Sequence, residues 1–241
     1  MTADPSSRKL PLQSVMSIFV GLIFILTLCF SSSSHLVFAG GEDPRIYSKD
    51  STPYGVPYNQ WLSKWWQWTQ SITEPLHPRE HPSEQNCKVA QQGPVWFLAD
   101  LLSGRQERTC TIPASKSILA PLVVGFCGAD SPGVTDDNSL RQCAIVGNDY
   151  ATMQVTLDGQ EIKNLDQNRV QYGPFMITYG DNNIYKHKPI SVKGYVDGYY
   201  LILKPLSPGQ HTLELKTSVL NPVDSSYNYS ADLIYHLTIK Q

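Results

Sequence analysis

Four of the protein's five tryptophans lie within one eight-residue stretch, WLSKWWQW, at residues 61–68. At about 100° per residue in a helix, Trp61, Trp65 and Trp68 fall on one narrow stripe, with polar side chains opposite them. The pattern predicts an amphipathic helix over residues 58–72. Because aromatic stripes at helical spacing usually belong to a core, we interpret this helix as one that packs against a sheet.

Trp66 stands apart from this stripe. It lies about 140° around the helix from Trp61, so we expect it to be the most exposed of the four indoles. The alternative to a core helix is a row of indole faces that stacks on sugar rings or grips a partner. Trp66 is therefore a candidate binding residue.

The N-terminal residues 1–39 resemble a signal peptide. Arg8 and Lys9 precede an apolar run at residues 15–30, and Ala39 provides a small residue at the expected cleavage site. An uncleaved membrane anchor is the alternative, although the run is shorter than the roughly 20 residues of a membrane span. The sequence thus predicts an extended segment at 40–56 and one domain at 57–241.

The charge of the chain limits its partners. The formal net charge is −2, and no cluster of lysine and arginine follows the leader. Nucleic-acid phosphates need such clusters, so we exclude nucleic acid as a partner. We expect a secreted protein of the extracellular space or cell envelope, which would touch a membrane only through an uncleaved leader.

Four cysteines follow the leader: Cys87, Cys110, Cys127 and Cys143. An even number in a secreted chain indicates two disulfides, and three pairings are open. We favour Cys87–Cys110 and Cys127–Cys143, because each closes a short local loop. A zinc site is the alternative, but no Cys-x-x-Cys pair is present to support it.

His77 and His81, followed by Glu84, form a weak candidate for a metal site. Histidines at this spacing align on a helix, but Pro78 and Pro82 disfavour a helix in this segment. We therefore expect a solvated loop over residues 73–94 and no metal or other cofactor.

From residue 95 onward the pattern is typical of strands. Residues 95–98 form a continuous apolar run, and residues 117–126 form another, in which Pro121 predicts an edge or a bulge. Residues 130–139 read as a turn-rich polar loop. About eight strands at this spacing predict a mainly β protein, an antiparallel β-sandwich with the tryptophan helix packed on it.

Two hairpins are predicted. Asp158-Gly159 lies between alternating segments and is typical of a type I′ turn. Residues 195–204 and 210–219 flank a proline-rich segment, which we interpret as a hairpin with a longer loop.

Several stretches resemble a family of uncharacterised secreted microbial β-sandwich proteins. They are WxxxWWQW at 61–68, GPVWFLA at 93–99, RTCTIPA at 108–114, LDG at 157–159, DGYY at 197–200 and KPLSPGQHT at 204–212. The resemblance covers residues 54–240 and implies a sandwich with an N-terminal helix. It implies no reaction, cofactor or catalytic residue, and the His77/His81 loop is not part of it.

The sequence contains no Gly-x-Ser-x-Gly elbow, phosphate loop or His-Glu-x-x-His motif. We therefore predict a non-catalytic extracellular binding or structural module, with a cell-surface polysaccharide or a protein as its partner. Tyr199 and Tyr200 join Trp66 as candidate binding residues, because exposed aromatic side chains dominate binding surfaces. The alternative is a hydrolase-like enzyme with a site on the loops at one end of the sandwich.

Overall fold

The computed structural model describes residues 43–241, so the predicted leader lies outside the described residues. Two α-helices and nine strands follow one another along this part of the chain. They are α1 (Tyr58–Ser71), β1 (Val95–Phe97), β2 (Gly104–Pro113), β3 (Ser117–Gly128), α2 (Asp137–Ile145), β4 (Ala151–Leu157), β5 (Gln160–Ile162), β6 (Arg169–Thr178), β7 (Ser191–Leu203), β8 (Gly209–Val219) and β9 (Tyr229–Lys240).

The strands form two sheets that pack into a sandwich, which confirms the predicted fold class. Sheet 1 has the order β1-β3-β7-β6, and sheet 2 has the order β2-β9-β8-β4-β5. Five of the seven described pairings are antiparallel, whereas β1–β3 and β2–β9 are parallel. Each parallel pair lies at an end of its sheet, where the chain passes from β1 in sheet 1 to β2 in sheet 2.

The core between the sheets follows from the alternation of side chains along each strand. Ile118, Ala120 and Leu201 of sheet 1 point inward and are fully buried. They meet Leu213 and Leu237 of sheet 2 in the same cluster.

The first predicted hairpin is confirmed. The Asp158-Gly159 turn joins β4 to β5, and both of its residues have positive φ, as a type I′ turn requires.

A second core covers the outer face of sheet 1, where α1 packs on β6 and β7. Trp65 is fully buried, and its indole N–H donates to the carbonyl of Leu98 at 2.8 Å. Trp61 and Trp68 donate in the same way to loop carbonyls, so three indoles of the helix both fill the core and fix the surrounding loops.

Trp66 has the largest exposed fraction of the four tryptophans in α1, as expected, but at 7 % against 5 % for Trp61 and Trp68 it is buried and not partly exposed. Its ring centroid lies 5.1 Å from that of Trp65 and 5.0 Å from that of Phe126 on β3. The helix is enclosed on more than one side, because Phe126 and Tyr185 pack against the flank that periodicity alone assigns to solvent.

The second predicted hairpin is also wrong, because β7 and β8 belong to different sheets. β7 pairs with β3 and β6, whereas β8 pairs with β4 and β9. The proline-rich segment between them is a crossover, and alternation within each strand cannot distinguish a crossover from a hairpin.

Residues 137–145 form α2 instead of the expected polar loop. Asp136 caps this helix: its carboxylate accepts the Ser139 backbone N–H at 2.7 Å, and the Ser139 hydroxyl oxygen accepts the Asp136 backbone N–H at 3.0 Å. The acidic residues that are typical of a surface turn are thus the start of a helix.

Both predicted disulfides are confirmed. Cys87–Cys110 fastens the segment before β1 to β2, and Cys127–Cys143 fastens α2 to β3. The bulge expected at Pro121 is confirmed as a shift in the β3–β7 register between Pro121 and Val123. Among the described residues, no helix is long and apolar enough to cross a membrane.

We expect Trp65→Ala and Trp66→Ala to lower the free energy of unfolding by similar amounts, about 3–5 kcal/mol each, because both remove an indole from an enclosed core. Chemical denaturation measures both losses, with Lys64→Ala as the exposed control on the same helix. A loss at Trp66 as small as that at Lys64 would contradict the enclosed arrangement.

Candidate functional site

A cleft of about 410 Å³ opens beside the second half of β3, within the range typical of ligand pockets. We call it the aromatic cleft, and its main walls are ring-bearing side chains from several segments of the chain. They are Trp66 of α1, Phe126 of β3, Tyr185 and His187 between β6 and β7, Tyr227 before β9, and Tyr229 at the start of β9. Gln70 of α1 and Asn148 after α2 add polar groups to the lining.

The polar groups of α1 at this cleft have no partners in the described part of the chain. Gln70 is fully buried, yet neither its side-chain Oε1 nor its Nε2 makes a hydrogen bond. The indole Nε1 of Trp66 is also unpaired. Buried polar atoms are nearly always paired in folded proteins, so three unpaired atoms on two residues of one lining make this cleft the candidate ligand site.

The edge of β3 faces this cleft. β1 pairs only with Ser117–Leu119, so beyond Leu119 the register gives β3 one described neighbour, β7. Val124, Gly125 and Phe126 of this unpaired edge line the cleft. A sheet edge of this kind presents backbone donors and acceptors without partners.

Within residues 43–241, the lining of the cleft contains no Asp, Glu, Lys or Arg. Burial, followed by the nearby Asp100 carboxylate, raises the pKa of both Tyr185 and Tyr229. Both phenols are therefore protonated at neutral pH, and the cleft is an uncharged, largely aromatic environment. Such a site favours a neutral ligand, because a charged one would lose its hydration without an opposite charge.

His187 is the titratable side chain closest to a catalytic arrangement at this cleft. Its ring stacks on Tyr179 at a centroid distance of 4.2 Å, and its Nδ1 lies 3.5 Å from a carboxylate oxygen of Asp130. Ser131 lines the same cleft, but in the described residues no hydrogen bond joins it to His187. A serine nucleophile needs a base within hydrogen-bonding distance, and this arrangement does not provide it.

A buried polar cluster lies behind Tyr185. Arg79 donates to the Tyr185 hydroxyl at 3.1 Å and forms an ion pair with Asp100 at 3.5 Å. The Thr69 hydroxyl lies 2.7 Å from His77 Nε2, and His77 Nδ1 accepts the Arg79 backbone N–H at 3.2 Å. The cluster fixes the phenol of Tyr185 at the wall of the cleft.

The expected solvated loop is therefore wrong at residues 77–79, which are buried. Burial, and next the positive charge of Arg79, lowers the pKa of His77 to about 3. His81 is exposed, and the described residues include no group of three His, Cys, Asp or Glu that could hold a metal. The imidazole of His77 has a structural role in this cluster, since both of its nitrogens have protein partners.

Of the predicted binding residues, only Trp66 lies at the cleft. Tyr200 is fully buried under α1 and stacks on Tyr58 at 4.7 Å. Tyr199 points to the opposite face of β7 and lies half-buried beneath the guanidinium of Arg169. The expected exposure of Tyr200 is therefore wrong, because the face of β7 that carries it is covered by α1.

Gln70, Tyr185 and Tyr229 line the site although no sequence pattern indicates them. A glutamine on the polar side of an amphipathic helix is ordinarily solvated, and only tertiary packing shows that Gln70 is enclosed. Tyr185 lies in the loop between β6 and β7 and Tyr229 is the first residue of β9, where no periodic pattern distinguishes one tyrosine from another.

A comparison with protein-family models finds no match to this chain, and a comparison with curated proteins finds none either. The function must therefore be argued from the site itself.

We expect the pKa of His77 to make the fold sensitive to acid. The unfolded chain binds a proton below a pH of about 6.5, whereas folded His77 stays neutral down to about 3. Above a pH of about 6.5, His77 therefore contributes its full share to the free energy of unfolding. This contribution falls as the pH is lowered, by about 2 kcal/mol at a pH of about 5.

Denaturant unfolding from neutral to acidic pH measures this slope. His77→Gln should be less stable at neutral pH but should show a shallower loss towards acid. His81→Gln removes an exposed imidazole from the same segment and is the matched control. Equal slopes for the wild type and His77→Gln would disprove the assignment.

Proposed function

We propose that the protein is a secreted, non-catalytic binding module and that the aromatic cleft holds its ligand. The observation that carries this proposal is the unpaired amide of Gln70 beside the unpaired indole N–H of Trp66. An unpaired buried polar group costs about 1–3 kcal/mol of stability. A ligand that supplies both a donor and an acceptor would remove this cost on binding.

The uncharged lining supports binding rather than catalysis. General acid–base and nucleophilic mechanisms depend on titratable groups positioned at the reacting atoms. In the described part of the chain, His187 is the one imidazole that lines the cleft, and its ring is held against Tyr179. Enclosed aromatic walls with a few convergent polar groups are typical of ligand pockets.

Two disulfides support a location in an oxidising compartment. The signal-peptide pattern of residues 1–39 and the resemblance to secreted microbial proteins agree with that location. A cell-surface polymer or a secreted protein is therefore the natural source of the ligand.

The second candidate is a hydrolase that uses Ser131 and His187, with Asp130 orienting the imidazole. The 3.5 Å approach of Asp130 to His187 favours it, because a carboxylate that orients a histidine is one part of a catalytic triad. A closing motion that brings the Ser131 hydroxyl to the imidazole would be required.

We expect the leader to be removed after Ala39, so that the secreted protein begins at Gly40. The intact mass of the product from the culture medium measures the cleavage site. Recovery of the full-length chain in the membrane fraction would support an uncleaved anchor instead.

Gln70→Met should raise the free energy of unfolding by about 1–3 kcal/mol, because it replaces an unpaired buried amide with an apolar side chain of similar shape. The same change should weaken retention on panels of soluble peptides, polysaccharides and cell-envelope fractions. A gain in stability together with a loss of binding is the signature of a functional rather than a structural residue.

Trp66→Phe and Trp96→Phe form a matched pair for this test. Both indole nitrogens are buried and unpaired, but Trp96 lies in the core between the sheets and not at the cleft. Retention should weaken in Trp66→Phe and persist in Trp96→Phe. Hydrolysis of ester, peptide or glycoside substrates that is lost in both Ser131→Ala and His187→Ala would support the hydrolase instead.

A further inference from the structure

Two glutamine side chains of this protein pair with the backbone of an edge strand. Gln67 of α1 donates to the carbonyl of Thr178 at 2.8 Å and accepts its N–H at 2.9 Å, at the end of β6. Gln91 makes the same pair of bonds with Phe97 of β1, at 2.8 and 2.9 Å. A primary amide has one donor and one acceptor side by side, which match the N–H and C=O of an extended residue.

β1 and β6 are the two edge strands of sheet 1, so each edge receives one glutamine amide. Gln70 lies three residues after Gln67 on the same helix, and it is fully buried with both atoms of its side-chain amide unpaired. It lines the cleft together with Val124–Phe126, where β3 continues beyond the end of β1 and becomes an edge itself. The third edge segment of sheet 1 thus has a glutamine at the same cleft, but the amide of that glutamine bonds neither to β3 nor to any other described strand.

We propose that the ligand is an extended peptide that adds a strand to β3 at Val124–Phe126 and pairs one of its residues with the amide of Gln70. This inference rests on the proposed function, since it names the class of ligand for the same cleft. Addition of a strand to an exposed sheet edge is a general mode of peptide recognition, in which backbone bonds provide affinity and side-chain pockets provide specificity.

The surroundings of the cleft fit a neutral peptide with apolar side chains. The lip on one side carries exposed apolar residues of the lining, with Val146 at 41 % and Tyr227 at 44 % exposure. Leu220, which is 65 % exposed, directly follows Val219 of the lining, and its backbone N–H donates to the Tyr150 carbonyl at 3.4 Å. An apolar lip beside an uncharged cleft is typical of a surface that another polypeptide covers.

A polysaccharide fits this geometry less well. Sugar rings stack on open aromatic faces, but the Trp66 indole already packs against Phe126 at 5.0 Å and Tyr185 at 5.7 Å. The aromatic residues of the cleft therefore act as walls. The unpaired groups that remain are an amide, an indole N–H and a strand edge, which together match a peptide backbone.

The experiment uses the secreted protein to select binders from a displayed library of linear octapeptides. The same protein is tested in parallel on an array of polysaccharides. We expect enrichment of neutral peptides with apolar residues at alternate positions. A synthetic copy of an enriched peptide should bind Gln70→Met about tenfold more weakly than the wild type, because two hydrogen bonds are lost. Gln67 lies on the same helix, but its amide bonds to β6 and not to the cleft, so the Gln67→Met variant should bind the peptide as tightly as the wild type.

Two further measurements identify the strand. N-methylation of single peptide bonds should weaken binding at every second residue, because alternate N–H groups of an added strand face β3. Hydrogen exchange of Val124–Phe126 in the wild-type protein should slow when the peptide is bound, and this readout needs no variant.

The outcomes separate the two proposals. Binding of a polysaccharide, but of no peptide, with loss in Gln70→Met would overturn the peptide inference and leave the binding function in place. Peptide binding with no alternation on N-methylation and unchanged exchange at Val124–Phe126 would also overturn strand addition. Binding that Gln70→Met leaves unchanged would overturn the cleft as the site, and with it the proposed function.

Discussion

Sheet 1 is apolar on both faces, and the rest of the structure depends on how its outer face is covered. Leu201 and Leu203 of β7 point into the sandwich, whereas Tyr200 and Ile202 point away from it, and all four are fully buried. A sheet with two apolar faces needs a layer on each side. Sheet 2 provides one layer, and α1 provides the other because its tryptophans have enough apolar area to cover a four-stranded sheet.

The position of α1 on the outer face of sheet 1 determines where the cleft lies. The helix crosses sheet 1, so that Trp66 reaches Phe126 of β3 while Gln67 reaches Thr178 of β6. β1 is only three residues long, and the chain then leaves for sheet 2. The remainder of β3 therefore has a helix above it and no described strand on its β1 side. Cys127–Cys143 holds α2 against β3, which completes the walls around the exposed edge.

Sequence patterns correctly predicted the features of this fold that depend on residues close together in the chain. Helical spacing of the tryptophans, alternation in the strands, the Asp158-Gly159 turn and the short disulfide loops all follow from neighbours in sequence. The errors concern partners that are distant in sequence. Pro205 and Pro208 separate two strands that alternate correctly but enter different sheets, and Trp66 is enclosed by Phe126 and Tyr185. The site was missed for the same reason, because its main group is a glutamine whose burial depends on residues far along the chain.

The glutamines of α1 show why the cleft is more than a packing defect. Gln67 and Gln70 are close neighbours on one helix with the same side chain, so the cost of burying each amide is similar. The amide of Gln67 recovers that cost by pairing with β6. Gln70 lines the same cleft as the edge of β3, but its amide pairs with no strand of the described chain. An apolar side chain would fill this place at lower cost, since an unpaired buried amide destabilises the fold. The amide is explained if the missing partner is supplied from another molecule, and a peptide backbone is the partner that this protein's other edge glutamines bind.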